Sequence, residues 1–421
     1  MTMRTKLPHA IAGCSVLLFG AIGAIGAQTI PTNHPRIKAA LAAIRADNAW
    51  TLDQQASICE IPAPPFKEAV RAAEYRRRFE ALGMKNVRID AEGNVIATRA
   101  GTGKGPTVLI AGHLDTVFPE GTDVKVTRQG TMMKGPGIGD DCRGLAVLLQ
   151  VVKSFDKAGV ETLGTVYFVG DVGEEGAGNL RGVRHLFTKE FPGKIDYFIS
   201  IDGTGLAVTS RAVGSHRYRV TFKGSGGHSY GAFGIPNPIH AMGRAIAGIS
   251  DLNVVVQPKT TFNVGVISGG TSVNSISERA VMEIDMRSES AQELAKLDTA
   301  IRAVIARGLA EENARWPSRG ARLTVVVDTI GIRPTGAQAD SAMIVRTAIA
   351  AGKALGFSEP TAASSTDANL PISMGIPAIT IDGGGRGTGS HTTAESYDDT
   401  ANGFLGPQWA ALIVAALAGV R

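Results

Sequence analysis

The fold of this chain is decided by one stretch, Thr107-Val108-Leu109-Ile110-Ala111-Gly112-His113-Leu114-Asp115. It begins with a short apolar, β-branched run, which is typical of a buried strand. Residues two apart on a strand point to the same face, so His113 and Asp115 should project together from the strand end. An imidazole with a carboxylate two residues on supplies a metal ligand and a group that fixes its tautomer. Because a lone His-x-Asp more often marks an ordinary polar strand end, its meaning depends on the rest of the chain.

Composition limits the number of domains and the kind of partner. The chain has 421 residues, which is long for one domain, and 44% of them are hydrophobic, which is enough for large cores. The formal net charge is only +5, and no segment is dense in lysine and arginine. We therefore predict no nucleic-acid partner.

The first 27 residues have the layout of a secretory signal peptide. Arg4 and Lys6 form a basic start, an apolar segment covers about 16–25, and small residues follow up to Ala27. The apolar segment is short and glycine-rich for a membrane span. We expect cleavage near Ala27, an exported protein that is periplasmic or secreted, and no stable membrane span after processing. An uncleaved anchor is the alternative.

Strands alternate with helices over 28–212 and again over 329–421, with one long helix predicted over 36–57. Acids and glycines stand where the strands end, which predicts an α/β domain with its site at those ends. Between them, over 213–328, the order becomes β-α-β-β-α-β, which is that of a ferredoxin-like α+β domain. We predict a signal peptide (1–27), a catalytic domain in two segments (28–212 and 329–421) and an inserted domain (213–328).

Eight acids and histidines stand at the predicted strand ends. Two histidines with several carboxylates are ligands for first-row metals, and zinc accepts both types. The neighbours Glu174 and Glu175 would repel each other in a confined pocket, and a dication removes that penalty. One of them could bind a metal while the other acts as a base on a metal-held water. The eight residues are His113, Asp115, Asp140, Asp141, Glu174, Glu175, Asp202 and His391.

Several short motifs occur in order along the chain: Gly112-His113-Leu114-Asp115-Thr116, Gly137-Ile138-Gly139-Asp140-Asp141, Gly173-Glu174-Glu175-Gly176, Ile201-Asp202-Gly203, Gly226-Gly227-His228-Ser229, Gly269-Gly270-Thr271-Ser272-Val273-Asn274, Asp285-Met286-Arg287 and Ser390-His391-Thr392. With them the chain resembles the co-catalytic zinc peptidases and deacylases of the M20 family, over nearly all of its mature length. That family includes carboxypeptidase G2, peptidase T, carnosinase-type dipeptidases and succinyl-diaminopimelate desuccinylase. The resemblance implies a catalytic domain with a central mixed β-sheet flanked by helices, and an inserted ferredoxin-like domain for lid and dimer contacts.

The resemblance also implies a ligand set for two zinc ions per chain, with Co²⁺ or Mn²⁺ as substitutes. Asp140 would bridge the two ions. His113 and Asp202 would complete one ion, and Glu175 and His391 would complete the other.

Further roles follow from the same resemblance. Asp115 would orient His113, and Glu174 would take a proton from the water between the metals and give it to the leaving amine. His228 would stabilise the oxyanion in the site of the other protomer of a homodimer. Asn274 and Arg287 would hold a substrate carboxylate, although Arg287 could also be a plain ion-pair partner of Asp285.

Two positions bear on the substrate and on departures from the family. Most deacylases of the family carry glutamate at the place of Asp202, whereas peptidase T-like members and dipeptidases carry aspartate. We therefore predict a di-/tripeptidase or exopeptidase of small peptides, with an N-acyl amino acid deacylase as the alternative. The family commonly has lysine where Cys142 stands, and we expect a small buried filler there rather than a soft ligand. Cys59 and Cys142 are two cysteines without a disulfide framework, and we expect both to be free.

Two other classes of function compete with this one. The stretch 227–231 also matches the G-x-S-x-G of serine hydrolases, with Ser229 as nucleophile, Asp367 or Asp382 as the acid and His391 as the base. The glycines and prolines that follow it are unsuited to the helix that must begin there. A non-catalytic binding domain is the third possibility, and loss of a ligand or base would indicate it.

Overall fold

The computed structural model describes residues 29–317, 320–358 and 360–421. The predicted signal peptide lies outside the described residues. Within the described residues, no helix is both long and apolar enough to cross a membrane.

In these ranges the α-helices are α1 (Pro35–Ala46), α2 (Asn48–Cys59), α3 (Ala69–Ala81), α4 (Cys142–Lys157), α5 (Arg181–His185), α6 (Pro238–Ser250), α7 (Ala291–Arg315), α8 (Met343–Ala354), α9 (Asn369–Ser373) and α10 (Leu405–Ala418). The strands are β1 (Arg88–Ile89), β2 (Val95–Arg99), β3 (Val108–His113), β4 (Thr127–Gln129), β5 (Met132–Lys134), β6 (Val166–Asp171), β7 (Tyr197–Ile201), β8 (Val208–Ala212), β9 (Gly214–Lys223), β10 (Gly227–His228), β11 (Thr260–Gly269), β12 (Ser275–Ile276), β13 (Arg279–Ser288), β14 (Thr324–Arg333), β15 (Gly336–Ala337), β16 (Thr361–Ser364), β17 (Ala378–Ile381), β18 (Arg386–Thr388) and β19 (Ser396–Asp398).

A mixed sheet organises the larger part of the molecule. Its order is β1-β2-β6-β3-β7-β17-β8-β15, with β16 paired to β8. The inner strands β6, β3, β7 and β17 run parallel, and the strands outside them add antiparallel pairs. The predicted α/β class with a central mixed sheet is therefore confirmed.

Strand β3 is buried along its whole length because helices cover both faces of the sheet. Val108 and Ile110 pack with residues of α4 in one hydrophobic core, and Leu109 and Ala111 pack with α5 in another. Each of the three larger side chains, Val108, Leu109 and Ile110, stabilises the fold by about 1.5–3 kcal/mol relative to an exposed one. This two-sided burial fixes the position of the strand end that carries His113.

Residues between β9 and β14 form a second sheet of four antiparallel strands in the order β11-β13-β9-β14. Helices α6 and α7 pack on this sheet and share its hydrophobic core. The succession of strands and helices is the predicted ferredoxin-like one, and we call this part the lid. Outside its main sheet, β10 and β12 pair as a short ribbon that carries His228.

Two local expectations are wrong. The single helix predicted over 36–57 is two helices, because the backbone leaves helical geometry at Asp47, whose carboxylate accepts a hydrogen bond from Lys153 at 2.7 Å. The cysteines are not free: Cys59 at the end of α2 and Cys142 at the start of α4 form a disulfide across 83 residues. Cys142 is thus neither an isolated filler nor a metal ligand.

Candidate active site

His113 lies at the carboxyl end of β3, as predicted, but its orientation has a different cause. Its Nδ1 atom lies 3.0 Å from the backbone carbonyl oxygen of Asp115 and 3.8 Å from the Asp115 carboxylate. The carbonyl therefore fixes the ring and leaves Nε2 for the site. Gly112 is needed here, since a Cβ at this position would come within 2.8 Å of the Asp141 carboxylate, which accepts the backbone N–H of His113.

The Asp115 carboxylate organises the neighbouring loop instead. Its two oxygens accept hydrogen bonds from the backbone N–H groups of Glu174 and Glu175, at 3.1 and 2.8 Å. A buried carboxylate with two such bonds holds the loop in one conformation. Asp115 thus links the strand end of His113 to both glutamates.

Asp140 lies between two histidines and turns one oxygen toward each. Oδ1 is 3.0 Å from Nε2 of His113, and Oδ2 is 3.1 Å from Nε2 of His391. The loop of Asp140 is held by the carboxylate of Glu395, which accepts the backbone N–H groups of Gly139 and Asp140 at 2.8 and 3.0 Å. This is the placement that a bridging ligand requires.

Glu175 completes the group around His391. Its Oε1 lies 3.1 Å from Nε2 of His391, and ligand atoms of His113, Asp140 and Glu175 all lie within 4.8 Å of one another. Asp202, after the end of β7, lines the same cleft. The structure therefore brings all five predicted metal ligands to one place.

The electrostatics of this group fit bound cations. Burial and the charge of Asp140 raise the pKa of Asp202 well above its ordinary value. Hydrogen bonds to Asp140 and Glu175 raise the pKa of His391 to about 10. A divalent cation between carboxylates removes their mutual repulsion. It can also replace the protons that the imidazoles hold beside these carboxylates. Two imidazoles with three carboxylates also match the donor preference of zinc.

Glu174 is buried beside this group and is paired with Arg333 at the end of β14. Arg333 Nη1 donates to Glu174 Oε1 at 2.7 Å, and Nη2 donates to the backbone carbonyl oxygen of Glu174. Burial raises the pKa of Glu174, and the positive charge of Arg333 opposes that rise. A carboxylate of raised pKa beside a metal-ligating group can take a proton and return it.

These side chains line a cleft of about 370 Å³ between the sheet and the lid, which is large enough for a small peptide. From the lid, Arg287 lines it together with Arg217 and Arg333. Arg287 also makes the expected ion pair with Asp285, at 2.7 Å. The ion pair is therefore present, and the binding of a substrate carboxylate by Arg287 stays a prediction.

His228 and Asn274 do not line this cleft. Both are exposed on the β10–β12 ribbon and the loop before it, where Ser229 N–H donates to the carbonyl oxygen of Asn274 at 2.9 Å. The His228 Nδ1 atom faces the N–H groups of Tyr230 and Gly231, at 3.3 and 3.2 Å. Within one described chain, these two predicted residues are separate from the other site residues.

The geometry does not support a serine nucleophile. Residues 227–231 form a short strand and a turn, and the next helix begins only at Pro238. His391, the proposed base, contacts the carboxylates of Asp140 and Glu175 instead of the hydroxyl of Ser229.

Sequence reasoning missed three residues of the site: Glu395, Arg333 and Arg217. Glu395 stands in a loop without a pattern of its own. Arg333 ends an alternating strand before a proline, as Arg287 ends one, and that parallel is the only signal that could have indicated it. Arg217 lies within an alternating strand that carries several basic residues, and only the fold distinguishes it from them.

Comparison with known proteins agrees with this geometry. The model of peptidase family M20/M25/M40 matches residues 109–405. Carboxypeptidase G2 of Pseudomonas sp. (strain RS-16) is 26% identical over 333 residues, covering 76% of each chain. Acetylornithine deacetylase of Vibrio campbellii is 30% identical over 260 residues, covering 57% of this chain and 66% of that one.

Solved structures show the same fold at low identity. Aminopeptidase PepT of Bacillus cereus is 20% identical and superposes with a TM-score of 0.67, covering 88% of this chain and 98% of that one. Bacillus subtilis YxeP, described as a dinuclear metal-binding peptidase, is 18% identical with a TM-score of 0.62, covering 88% and 99%.

Proposed function

Since the chain belongs to the peptidase family M20/M25/M40, we propose that it is an exported di-zinc hydrolase that cleaves the amide bond of small peptides. Members of this family act on small peptides or on acylated amino acids, so the reaction class follows from membership. The number and identity of the metals, the substrate, the dimer and the export are our proposals.

The observation that carries the proposal is the position of Asp140. Its two oxygens face Nε2 of His113 and Nε2 of His391, and Glu175 lies against the second histidine. A carboxylate shared between two separate histidines matches a pair of metal sites better than a single one. One solved relative, YxeP, is described as dinuclear.

Bound metal ions would supply an activated water and positive charge at the substrate carbonyl. Glu174 lies beside the ligand group and takes the proton that this water loses. Arg333 holds the carboxylate of Glu174 in place, and its positive charge favours the ionised form that accepts the proton. The same proton then passes from Glu174 to the leaving amine.

Substrate recognition rests on the lid. The planar guanidinium of Arg287 matches a carboxylate, and its place in the cleft suits the free C-terminus of a peptide. C-terminal amidation should then lower kcat/KM by at least about tenfold, because it leaves the guanidinium without its anion. The ratio between acid and amide substrates should shrink in Arg287→Ala, and equal cleavage of both forms by the wild type would refute this recognition.

Substrate class is tested by a panel of di- and tripeptides and N-acyl amino acids on zinc-loaded protein. We expect the dipeptides to be cleaved with the higher kcat/KM, and a chelator to abolish cleavage. Preference for the acylated amino acids would favour the deacylase alternative, to which the acetylornithine deacetylases point. Full activity after chelation, or loss of activity in Ser229→Ala with metals bound, would refute metal catalysis.

A homodimer would bring His228 to the cleft of the partner chain. His228 is exposed in one chain, and the lid sheet ends in β11, an exposed edge strand on which Ile267 is 62% exposed. An exposed apolar edge strand favours pairing with a second chain. His228 would then stabilise the oxyanion from across the dimer.

Mixing two inactive variants tests this arrangement. In a mixed dimer of Glu174→Gln and His228→Ala, one cleft has an intact Glu174 in its own chain and an intact His228 from the other. Unfolding and refolding the two variants together should therefore restore activity, whereas each variant refolded alone should remain inactive. Failure of the mixture to gain activity, although mixed dimers form, would place His228 outside the partner's site.

Export is supported by the disulfide. Disulfides persist in oxidising compartments, and the bond between Cys59 and Cys142 is of the buried, structural kind. Together with the signal-like start, it favours the periplasm or the medium. Cell fractionation with N-terminal sequencing should find a chain that begins near residue 28, and a cytoplasmic chain that begins at Met1 or Thr2 would contradict export.

A further inference from the structure

The disulfide ends two residues from the carboxylate that the proposed metal ions share. Asp140 lies on the segment 135–142, which runs from the end of β5 to the first residue of α4, and we call this segment the ligand loop. Its last residue, Cys142, is bonded to Cys59 at the end of α2, and both cysteines are fully buried. A covalent bond thus fastens the ligand loop to a helix that itself carries no proposed metal ligand.

A second contact joins the same face of α2 to the ligand loop. Gln55 stands four residues before Cys59, one helical turn away, and its Nε2 atom donates to the backbone carbonyl oxygen of Ile138 at 2.7 Å. Cys59 and Ile138 also pack in one small buried cluster with Met133 and Tyr397. Helix α2 therefore holds the ligand loop at two points, one on each side of Asp140.

Glu395 holds the ligand loop by hydrogen bonds. Its carboxylate accepts the backbone N–H of Gly137 at 3.0 Å, in addition to those of Gly139 and Asp140. Such bonds are exchanged for bonds to water when a loop opens, so each of them contributes only a modest net free energy. The disulfide does not exchange with water, and breaking it requires a reductant.

Metal affinity depends on how well the ligands are held before the ion arrives. A ligand that is already in place loses little conformational freedom on binding, and this preorganisation raises the affinity. Loss of the groups that orient a metal ligand typically lowers metal affinity about 10- to 100-fold. Asp140 is the ligand proposed for both ions, so release of its loop from α2 should weaken the binding of both.

We infer that the bond between Cys59 and Cys142 positions Asp140 for its metals, so that the chain binds zinc tightly only after the two cysteines have been oxidised. When the bond forms, the two thiols lose two protons and two electrons, and a disulfide oxidant of the oxidising compartment takes these up and becomes two thiols. Zinc loading then follows export, and a chain still in the cytoplasm remains poor in metal. The inference rests on the proposed function for the zinc pair and for export.

The test measures zinc affinity in both redox states of the wild type, by competition with a chromophoric chelator. A phosphine reduces the bond, and a thiol reagent in denaturant confirms that two further thiols per chain have formed. Reduced protein should bind both zinc ions at least about tenfold more weakly than oxidised protein. Glu175→Gln, with the disulfide intact, should lose one ion, so weakening of both ions identifies a defect at Asp140.

A variant of the lid controls for lost stability. Reduction lowers the free energy of unfolding, and so does Ile301→Ala, which opens a cavity in the core of the lid. This variant keeps the disulfide and the ligand loop, and its zinc affinity should equal that of oxidised wild type. An equal fall of zinc affinity in Ile301→Ala would show that the disulfide acts through stability alone and would overturn the inference.

Removal of both sulfur atoms excludes capture of zinc by the free thiols. Cys59→Ala/Cys142→Ala should bind zinc as weakly as reduced wild type, with or without the phosphine. Equal affinities of oxidised and reduced wild type, or tight binding by the double variant, overturn the inference and leave the proposed function standing. Oxidised wild type that binds no zinc refutes both. If the double variant does not fold, reduced wild type and Ile301→Ala decide the matter.

Discussion

Replacing Glu174 by glutamine should lower both activity and stability, and a second substitution should separate the two effects. Glutamine keeps the size of the side chain but cannot take a proton from water. Removal of a general base costs about 10²–10⁴-fold in kcat, or roughly 3–5 kcal/mol at 1.36 kcal/mol per tenfold. The loss should appear in kcat on a dipeptide, with zinc content unchanged.

The stability loss follows from the partner of Glu174. The side chain of Arg333 is 4% exposed and that of Glu174 is 5% exposed, so glutamine leaves a buried guanidinium without its counter-charge. Breaking such a pair costs about 3–5 kcal/mol. Because glutamine can still accept the hydrogen bond from Arg333 Nη1, we expect about 3 kcal/mol, measured by urea unfolding of metal-free protein at pH 8.

The double variant Glu174→Gln/Arg333→Met removes both charges and should recover most of that stability while staying inactive. Glu175→Gln is the matched control: it should lose one of the two zinc ions, because Glu175 lies against His391 in the ligand group. The reasoning is refuted if Glu174→Gln keeps kcat within about threefold of wild type, or if the double variant is less stable than the single one. Exchange of the two glutamine phenotypes would show that the roles of the glutamates are reversed.

Three further expectations concern residues that support the site. Burial raises the pKa of Asp382 to about 7, and a raised carboxyl pKa lowers the free energy of unfolding as pH rises from about 4 to 7. Asp382→Asn should therefore stabilise the protein on the order of 3 kcal/mol at pH 8 and hardly at pH 4. Urea unfolding at both pH values measures the difference. Reduction of the disulfide between Cys59 and Cys142 should lower the free energy of unfolding by about 2–5 kcal/mol because the bond closes a long loop; a double alanine variant should show no response to the reductant. The buried guanidinium of Arg71 donates to the carbonyl oxygens of Leu114 and Ile61 at 2.8 and 2.9 Å. Arg71→Met should lower the free energy of unfolding in urea by about 3–5 kcal/mol and weaken zinc binding measured by calorimetry. Unchanged stability would show that these hydrogen bonds contribute little.

The end of β3 could be read from the sequence because local patterns determine it. An apolar run followed by Gly-His-x-Asp specifies both a buried strand and the direction of two side chains. The same holds for Asp140, Glu175, Asp202 and His391, since each stands in a short motif at the end of an element. The motifs place these residues at the ends of elements, and the resemblance to the family selects them as one ligand set.

Other features depend on contacts between distant segments and could not be read in this way. The pairing of Cys59 with Cys142 requires α2 and α4 to meet, and no local pattern indicates that meeting. Arg333 becomes the partner of Glu174 only because the last lid strand returns to the catalytic loop. Asp47, where the backbone leaves helical geometry, binds Lys153, which is about a hundred residues further along the chain.

We propose that five residues would hold two zinc ions, with Asp140 as the ligand common to both. The most direct measurement is the zinc-to-protein ratio of purified chain, by mass spectrometry of the metal, in wild type and in Asp202→Asn and Glu175→Gln. We expect about two zinc ions per wild-type chain and about one in each variant, because each substitution removes a ligand of a different ion. A ratio of one or less in fully active wild type, or ratios unchanged by both substitutions, would contradict the account.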